Sequence, residues 1–325
     1  MADRTLRHSQ NFLHRVSVVR KIIRLANLTS RDLVIEIGPG RGIITKELAR
    51  VCSQVTAVEY DRSLSHDLQT SLGGLENVEV IYADFRHYRL PDREYKVFAS
   101  IPFSITSDIM AKLTTGGRSP SDAYLIMQTE AARRFAGPPY DHESLRSLLL
   151  KPRFELSILH ALRSTDFRPA PKADAVLLRM TRRRRPLLTP AEGRKFRDFL
   201  CFVFSEHGAE VAARLKRIFT RRQIGRLARE NGLPMSARVV ELCFAQWLAV
   251  FRHYLAEVAW DRQELVEGAE KRLLRRQAGL TKIHRSRSHA GWQCSAGEGR
   301  DQWQEARRHG VQAVSAPRRG GRKLG

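Results

Sequence analysis

The sequence lacks the features of a disulfide scaffold, a zinc site or a membrane protein. Its 325 residues include 4 cysteines (Cys52, Cys201, Cys243 and Cys294), and none has the C-x-x-C spacing of zinc sites. At this length we expect reduced thiols in a cytoplasmic protein. No run of about 18 apolar residues occurs, and residues 1–12 are unlike a signal peptide. We therefore expect no membrane segment.

Acidic residues are scarce relative to basic ones. The chain has 57 Lys+Arg against 34 Asp+Glu, a net charge of +23, and a pI near 10.8. Such a charge attracts polyanions, so nucleic acid or an anionic membrane surface is the expected partner, and a basic tail on an ordinary enzyme is the alternative. Residues 261–325 hold 15 Lys+Arg and 7 Asp+Glu, which leaves +15 on residues 1–260. The body of the protein is therefore basic without its tail.

Short apolar segments alternate with helix-like segments over residues 1–181. The predicted strands are Leu33–Ile37, Val55–Val58, Val78–Tyr82, Val97–Ala99, Ala123–Met127, Phe154–Leu162 and Ala175–Met180. Helices are predicted before and between them, with Val16–Leu28 before the first strand and Ile43–Ala49 after it, and Asp61 is predicted to cap the N-terminus of the next helix. This alternation predicts an open α/β sheet, in which ligands bind outside the carboxyl ends of the strands.

The composition changes twice after residue 181. Arg182–Arg185 followed by Pro186 is typical of a linker, and residues 190–257 have the apolar spacing of helices. Residues 182–229 hold 14 Lys+Arg against 4 Asp+Glu, which fits either a solvated surface or contact with RNA phosphates. We predict an α/β domain over 1–181, a small all-helical RNA-binding domain over 182–258, and a basic, disordered extension over 259–325.

A glycine cluster follows the first strand of the predicted sheet. Glu36 to Gly42 reads E-I-G-P-G-R-G, and glycines there let the backbone turn sharply and approach a ligand closely. A dinucleotide fingerprint would need glycine at position 43, which is Ile43, and no Lys-Ser/Thr pair follows as in a P-loop. The spacing therefore favours a nucleoside ligand without a pyrophosphate.

Acidic residues end the next two strands. Glu59 follows the second strand, where a carboxylate can accept hydrogen bonds from both hydroxyls of a ribose. Asp84 follows the third strand, where it can accept from the amino group of an adenine. Either acid alone is more often a helix cap or a solvated loop residue, but three such features at successive strand ends favour a ligand. A ribose and an adenine without phosphates indicate S-adenosylmethionine as the cofactor.

Ser100-Ile101-Pro102-Phe103 stands at the end of the fourth strand. It fits the pattern Asp/Asn/Ser-x-Pro-Tyr/Phe of enzymes that methylate exocyclic amino groups, and the alternative is an ordinary turn. The amino nitrogen of adenine is a poor nucleophile. A side-chain oxygen and a backbone carbonyl can accept its two protons and turn its lone pair toward a methyl group. Proline fixes the backbone at this carbonyl, and the aromatic ring can stack on the base.

With these motifs the chain resembles the family of ribosomal RNA adenine dimethyltransferases. The matching segments, in chain order, are His8–Leu13, Glu36–Gly42, Glu59–Asp61, Asp84–Phe85, Ser100–Phe103 and the F-x-P-x-P-like Phe167–Lys172. The match covers about residues 8–257. The resemblance implies an α/β, Rossmann-like, S-adenosylmethionine-dependent methyltransferase domain with a small all-helical C-terminal domain and a basic disordered tail.

The same resemblance implies roles for individual residues. The cofactor would be held by Asn11, Leu13, Gly38, Gly40, Glu59, Asp84 and Ser100. The catalytic segment would be Ser100, Ile101, Pro102 and Phe103, with Phe103 stacked on a flipped-out adenine. RNA contacts would come from Phe103, Phe167, Arg134, Lys172 and Arg183. The family most often has Asn where this chain has Ser100, whose side chain is shorter and offers one oxygen.

Three segments favour the erythromycin-resistance (Erm) branch of this family, in its actinobacterial form. Gln128–Phe135 and Lys151–Glu155 resemble that branch. Ser144–Ser147 lacks the glycine of a Gly-x-Leu-Ser segment that is usual in the branch acting on small-subunit RNA. The Erm branch implies methylation of one adenine in the peptidyl-transferase loop of large-subunit (23S) ribosomal RNA, before full assembly, by a monomer, and resistance to macrolide antibiotics.

Three other functions compete with this interpretation. A small-subunit adenine dimethyltransferase of ribosome biogenesis shares the motifs. A noncatalytic RNA-binding protein on the same fold is disfavoured by the intact Glu59, Asp84 and Ser100 segment. A nicotinamide-dependent oxidoreductase is disfavoured by the G-x-G-x-G spacing and the basic helical region.

Overall fold

The core of the fold is a seven-stranded sheet. In a computed structural model, which describes residues 11–102, 105–234 and 236–278, the strands are β1 (Phe12–Leu13), β2 (Leu33–Ile37), β3 (Gln54–Glu59), β4 (Val78–Tyr82), β5 (Lys96–Ser100), β6 (Asp122–Gln128), β7 (Phe154–Leu162), β8 (Phe167–Arg168) and β9 (Ala175–Arg182). The strand order is β4-β3-β2-β5-β6-β9-β7. Strands β2 to β6 are parallel, and β9 runs antiparallel to β6 and β7. The seven predicted strands are confirmed, with small differences at their ends.

Helices lie between the strands and make up the region after them. They are α1 (Val16–Ala26), α2 (Ile43–Ala49), α3 (Arg62–Leu72), α4 (Thr106–Thr114), α5 (Thr129–Ala136), α6 (Leu145–Leu150), α7 (Pro190–Ser205), α8 (Val211–Leu215), α9 (Arg221–Asn231), α10 (Phe244–Glu257), α11 (Trp260–Val266) and α12 (Ala269–Ala278). Asp61 caps α3 as predicted, because its side chain accepts from the backbone N of Ser63 and Leu64. In the described part of the chain no helix is long and apolar enough to cross a membrane.

The central parallel strands β2, β5 and β6 are mainly apolar because both faces of the sheet are covered there. All residues of β2 are buried. Ile35 lies in the core that contains Ile109 of α4, and Val34 lies in a second core with Ile22 of α1 and Leu48 of α2. Strands buried on both sides read as continuous apolar runs. The polar residues at their carboxyl ends are therefore exceptions to this pattern, and they lie at one edge of the sheet.

Helices α7 to α10 enclose a core rich in aromatic side chains. Phe199, Trp247 and Phe251 are fully buried there, and the indole Nε1 of Trp247 donates to the Val239 carbonyl at 3.2 Å. Buried rings of this size supply much of the hydrophobic stabilisation of a small core. Leu148 of α6 belongs to the same core although it precedes the last strands of the sheet. The predicted helical character of residues 190–257 is confirmed.

A buried carboxylate joins the sheet region to the helices that follow it. Glu143, between α5 and α6, is 2% exposed and pairs with Lys151. It also accepts from Ser147 Oγ at 2.5 Å and from the backbone N of Phe244, the first residue of α10, at 3.2 Å. Because a buried charge is costly unless it is fully paired, these contacts fix α10 against the loop that carries Glu143.

The prediction of a disordered extension from residue 259 is wrong for residues 260–278, which form α11 and α12. Val266 and Ala269 are buried in the helical core. Asp198 of α7 accepts from the backbone N of Gly268 (3.0 Å) and Glu270 (2.9 Å), and Arg197 pairs with Glu270. These side-chain contacts compensate for the few aliphatic residues in this segment. Residues 279–325 lie outside the described residues.

One compact unit of the chain ends at Leu274, and a second begins at Arg275, of which the structure describes the end of α12. The predicted boundary between residues 181 and 182 falls inside the first unit, at the end of β9. The division into separate domains stays a prediction.

Candidate active site

A cavity opens at the carboxyl ends of β2, β3 and β5 and beside the loop that follows β4. Ten of the residues singled out from the sequence line it: Asn11, Leu13, Gly38, Gly40, Glu59, Asp84, Ser100, Ile101, Pro102 and Phe167. Phe103 lies outside the described residues, so its place is a prediction. Parallel strands bring their carboxyl ends to one edge, which is why residues so far apart in sequence meet here.

Glycine is required in the loop between β2 and α2. Gly38 and Gly40 have φ values of +65° and +57°, a region that side chains other than glycine rarely adopt. A Cβ atom on Gly40 would also come within 2.5 Å of a ring carbon of Phe12. The loop is therefore shaped by its own backbone and by the aromatic ring that lies on it.

Phe12 and Phe167 belong to a small second sheet beside this loop. β1 pairs antiparallel with β8, with Phe12 opposite Arg168 and Leu13 opposite Phe167. The guanidinium carbon of Arg41 lies 5.5 Å from the centroid of the Phe12 ring, a cation–π distance. Phe12 and Arg41 both line the cavity. Sequence analysis did not single them out, although each is next to a predicted cofactor residue.

Glu59 is the last residue of β3 and is 3% exposed. Its Oε2 accepts from the backbone N of Gly40 at 3.0 Å, and its Oε1 accepts from the backbone N of Asp61 at 2.9 Å. Burial raises the pKa of this carboxyl, and the hydrogen bonds from backbone N–H groups oppose that rise. Each carboxylate oxygen has a second lone pair, so Glu59 can still accept hydrogen bonds from a diol.

Asp84 stands in the loop after β4 and is held by Arg86. The Arg86 guanidinium lies with Nη2 2.6 Å from Oδ2 of Asp84, and the Arg86 backbone N lies 2.9 Å from Oδ1. The Arg86 side chain lowers the pKa of Asp84 more than any other group. Arg86 also lines the cavity, and sequence analysis missed it. The only available signal was an arginine two residues after a strand-end acid.

Glu36 is a second buried carboxyl at this edge. It lies in β2, is 1% exposed, and neither carboxyl oxygen has a hydrogen-bond partner among the described residues. Burial raises the pKa of Glu36 from its usual 4.5 to about 8. The side chain of Thr45 opposes this rise, and the negative charge of nearby Glu59 adds to it. Such a group is mainly neutral near pH 7. Sequence analysis named Glu36 only as the first residue of the glycine loop.

The segment that follows β5 is anchored through its backbone. The Ile101 N–H donates to the Ile126 carbonyl at 3.0 Å, and the Pro102 carbonyl accepts from the Ile105 N–H at 3.1 Å. Ser100, half-buried, ends β5, and its carbonyl oxygen lies 4.0 Å from where a Cβ on Gly38 would stand. The glycine loop and this segment therefore face each other closely enough to share one ligand.

Three predicted RNA-contacting residues do not line the cavity. Arg134 and Lys172 are exposed. The Arg183 guanidinium donates to Glu155 Oε1 (2.6 Å) and to the Lys151 carbonyl (2.9 Å), so it is engaged within the protein. Their contact with RNA stays a prediction.

The basic residues between α7 and α9 divide in the same way. Arg214 donates to the Gly208 carbonyl at 2.7 Å, and Arg217 pairs with Glu206 at 2.7 Å. Lys216, Arg221 and Arg222 are exposed, as is Arg217. Lys216, Arg221 and Arg222 are better placed to meet RNA phosphates than Arg214 and Arg217, whose guanidinium groups are already hydrogen-bonded or paired.

The cavity suits a nucleoside that donates hydrogen bonds. The hydroxyls of a ribose and the amino group of adenine are donors, and Glu59 and Asp84 are acceptors at neighbouring strand ends. Apolar side chains such as Val58, Phe85 and Ile101 also line it, which suits a planar base. Among the described residues no cluster of three or more His, Cys, Asp or Glu side chains is arranged to hold a metal.

The strand order, the glycine loop and the two strand-end carboxylates define the class of Rossmann-like, S-adenosylmethionine-dependent methyltransferases. The chain belongs to the ribosomal RNA adenine dimethylase family, whose model matches residues 3–256. The family resemblance, the fold and the dependence on S-adenosylmethionine that were predicted from the sequence are confirmed. The protein is therefore an enzyme that methylates adenine in ribosomal RNA.

Individual relatives agree with this assignment. A curated "rRNA methyltransferase" from Streptomyces thermotolerans is 32% identical over 251 residues, 77% of this chain and 83% of the relative. A "Ribosomal RNA small subunit methyltransferase A" from Acaryochloris marina is 30% identical over 262 residues, 75% of this chain and 94% of the relative. A solved structure described as the 23S rRNA methyltransferase ErmE is similar with a TM-score of 0.70 and 30% identity, over 75% of this chain and 99% of that one.

Proposed function

We propose that this enzyme methylates the exocyclic amino group of an adenine in the peptidyl-transferase loop of 23S ribosomal RNA and thereby confers resistance to macrolide antibiotics. The likeness to the structure of a 23S rRNA methyltransferase, which extends over 99% of that chain, carries this proposal. Methylation removes hydrogen-bond donors from the adenine and adds bulk where a drug would contact it. A lost hydrogen bond and a steric clash cost a tightly bound drug several kcal/mol, and each ~1.4 kcal/mol is tenfold in affinity.

The cofactor lies in the cavity, and the residues that line it have separate roles. Glu59 accepts from the ribose hydroxyls, and Asp84 accepts from the adenine amino group. Gly38 and Gly40, with Asn11 and Leu13 nearby, form the backbone surface beside the methionine part; all line the cavity. The bound cofactor supplies an activated methyl group on a sulfonium.

The target adenine enters opposite the cofactor. Ser100 and the Ile101 carbonyl accept hydrogen bonds from the two N–H groups of the amine, which directs the nitrogen lone pair toward the methyl group and stabilises developing positive charge. Pro102 restricts the backbone of this segment, and its carbonyl accepts a hydrogen bond from the Ile105 N–H just before α4. Phe103 stacks on the base, and Phe167 lines the cavity as a second aromatic side chain. Once the nitrogen is methylated, one of its N–H protons becomes acidic and is lost to solvent, so no strong general base is needed.

The RNA backbone meets the basic surface of the protein. Exposed Arg134, Lys172, Lys216 and Arg221 supply positive charge for phosphates. Structured RNA offers its bases mainly in loops, and the target must be splayed out to reach the cavity. A loop that can open is most accessible before the subunit is complete, so we place the reaction in the cytoplasm on large-subunit RNA before full assembly. We also propose that the enzyme is monomeric, which size-exclusion chromatography with light scattering tests.

The decisive experiment compares four substrates: protein-free 23S and 16S RNA and the two assembled subunits. Each is incubated with the enzyme and labelled S-adenosylmethionine, and the modified base is mapped by primer extension. We expect label in the peptidyl-transferase loop of protein-free 23S RNA and little in the assembled large subunit. Glu59→Ala is the control that lacks the ribose acceptor. Equal labelling of the assembled subunit would contradict the proposed timing.

A second candidate function has specific support. The Acaryochloris relative, a small-subunit RNA methyltransferase, is 30% identical over 75% of this chain. If that branch is right, the label appears in 16S RNA, the chain complements a strain lacking the biogenesis enzyme, and a macrolide-sensitive host stays sensitive. If the chain is a noncatalytic RNA-binding protein, neither RNA is labelled and S-adenosylmethionine does not bind. Macrolide resistance on expression excludes both outcomes.

A further inference from the structure

The carboxylate assigned to the adenine is gripped by Arg86 at several points. The Arg86 backbone N donates to Oδ1 of Asp84 at 2.9 Å, and Nε lies 3.1 Å from Oδ1 and 3.0 Å from Oδ2. Nη2 lies 2.6 Å from Oδ2. The side chain of Asp84 is 20% exposed and that of Arg86 is 41% exposed. A contact of this kind fixes the plane of the carboxylate, which one hydrogen bond would leave free to rotate.

The contacts of Arg86 leave one part of Asp84 available. An ionised carboxylate has about four acceptor positions, two on each oxygen. The Arg86 backbone N–H donates to Oδ1, and Nη2–H donates to Oδ2. Nε–H is shared between the two oxygens, at 3.1 Å from Oδ1 and 3.0 Å from Oδ2. Neither oxygen has both of its acceptor positions filled by unshared donors, so the carboxylate can accept one further hydrogen bond.

Arg86 itself is held in place by the surrounding loop. Lys112 of α4 donates from Nζ to the Arg86 carbonyl at 2.9 Å and to the Tyr88 carbonyl at 2.6 Å. The backbone N atoms of His87 and Tyr88 both donate to the Asp84 carbonyl, at 2.9 and 3.0 Å. The loop is thus closed on itself and tied to α4. The guanidinium projects from a fixed backbone toward Asp84 and the cavity.

We propose that Arg86 is a positioning residue for the base of the cofactor, which it serves by holding the Asp84 carboxylate with a free acceptor position toward the adenine amino group. The proposal rests on the assignment of Asp84 made under the proposed function. A base that lacks the amino group has no hydrogen bond to donate to Asp84. Arg86 therefore contributes to selectivity for adenine and contributes nothing to a base without that group.

The experiment uses two ligands and no RNA. S-adenosylhomocysteine and its analogue with hydrogen in place of the adenine amino group are titrated calorimetrically into the full chain. Arg86→Met should weaken S-adenosylhomocysteine about tenfold and change the analogue by less than about twofold, since a hydrogen bond to a charged group is lost only with the first ligand. Arg86→Lys keeps the charge without the planar fork and should lose the same preference.

A matched control and a double variant complete the test. Arg89 is exposed, pairs with exposed Asp92 and is not among the residues that line the cavity, so Arg89→Met should leave both affinities unchanged. In an Asp84→Ala background, Arg86→Met should have no further effect. Equal weakening of both ligands by Arg86→Met, or tighter binding of S-adenosylhomocysteine, overturns the role of Arg86. If Asp84→Ala alone changes nothing, the assignment of Asp84 falls and this proposal falls with it, whereas the RNA target is untouched.

Discussion

The buried carboxyl of Glu36 should make the stability of this protein fall as the pH rises. Its pKa is raised by burial from 4.5 to about 8 in the folded chain. Between these values the folded state keeps a proton that the unfolded state has released, so the unfolded state binds fewer protons and stability decreases with pH. At about 1.36 kcal/mol for each pH unit, the loss reaches about 3 kcal/mol at pH 7. Stability from this group is complete below about pH 4.5 and is not lost further above about pH 8.

Replacement of Glu36 by Gln tests this reasoning, because Gln keeps the shape and never ionises. The advantage of Glu36→Gln over the parent in free energy of unfolding should grow by about 2 kcal/mol between about pH 6 and pH 8.5, or about 5 °C in melting temperature. Differential scanning calorimetry at several pH values measures it. Glu47→Gln is the control. Arg20 lowers the pKa of Glu47, so this carboxyl stays ionised over the whole range and its replacement should add no pH dependence. If the melting temperatures of the parent and Glu36→Gln differ by the same amount at every pH in this range, the argument is refuted.

Three further predictions concern the cofactor, the target base and the C-terminal segment. Glu59→Ala should weaken S-adenosylmethionine at least about tenfold in a calorimetric titration, and unchanged affinity would remove the ribose assignment. Phe103→Ala should lower the methylation rate about tenfold to hundredfold while Phe103→Tyr retains most of it; a parent-like rate for Phe103→Ala would exclude stacking. A chain ending at Ala278 should methylate RNA normally but bind it with a shallower salt dependence, because residues 279–325 hold 10 Lys+Arg against 3 Asp+Glu. An equal slope in filter binding would mean that this segment does not contact RNA.

The sheet and the residues that meet at its edge were predictable because both depend on local patterns. Continuous apolar runs such as Ala123–Met127 indicate strands buried on both faces, and the polar residues that end such strands must share one edge. Glycine is required at position 40 by its positive φ and by the Phe12 ring packed on it. The glycine spacing of the motif reflects that requirement. The position of the cavity at this edge of the sheet therefore follows from the predicted strand ends.

Contacts between side chains distant from these patterns were not predictable. The grip of Arg86 on Asp84 follows from the conformation of one loop, and an arginine two residues after an acid is common. A count of charges also does not show that Arg183 and Arg214 donate hydrogen bonds to acceptors within the protein. Helices α11 and α12 were not predicted because the contacts that hold them come from Asp198 and Arg197, which are far away in sequence.

The buried carboxylate of Glu143 bears on which partner changes shape in the proposed reaction. It ties the loop before α6 to the first turn of α10 through the backbone N–H of Phe244, while Ser147 and Lys151 hold the same carboxylate from the side of α6. Opening that joint would remove one of the hydrogen bonds that a buried charge needs. We therefore expect the RNA to change shape instead, since its loop must open to present its base. Among candidate loops, the enzyme would select those whose distortion is least expensive, so flexibility of the RNA acts as a specificity determinant alongside its sequence.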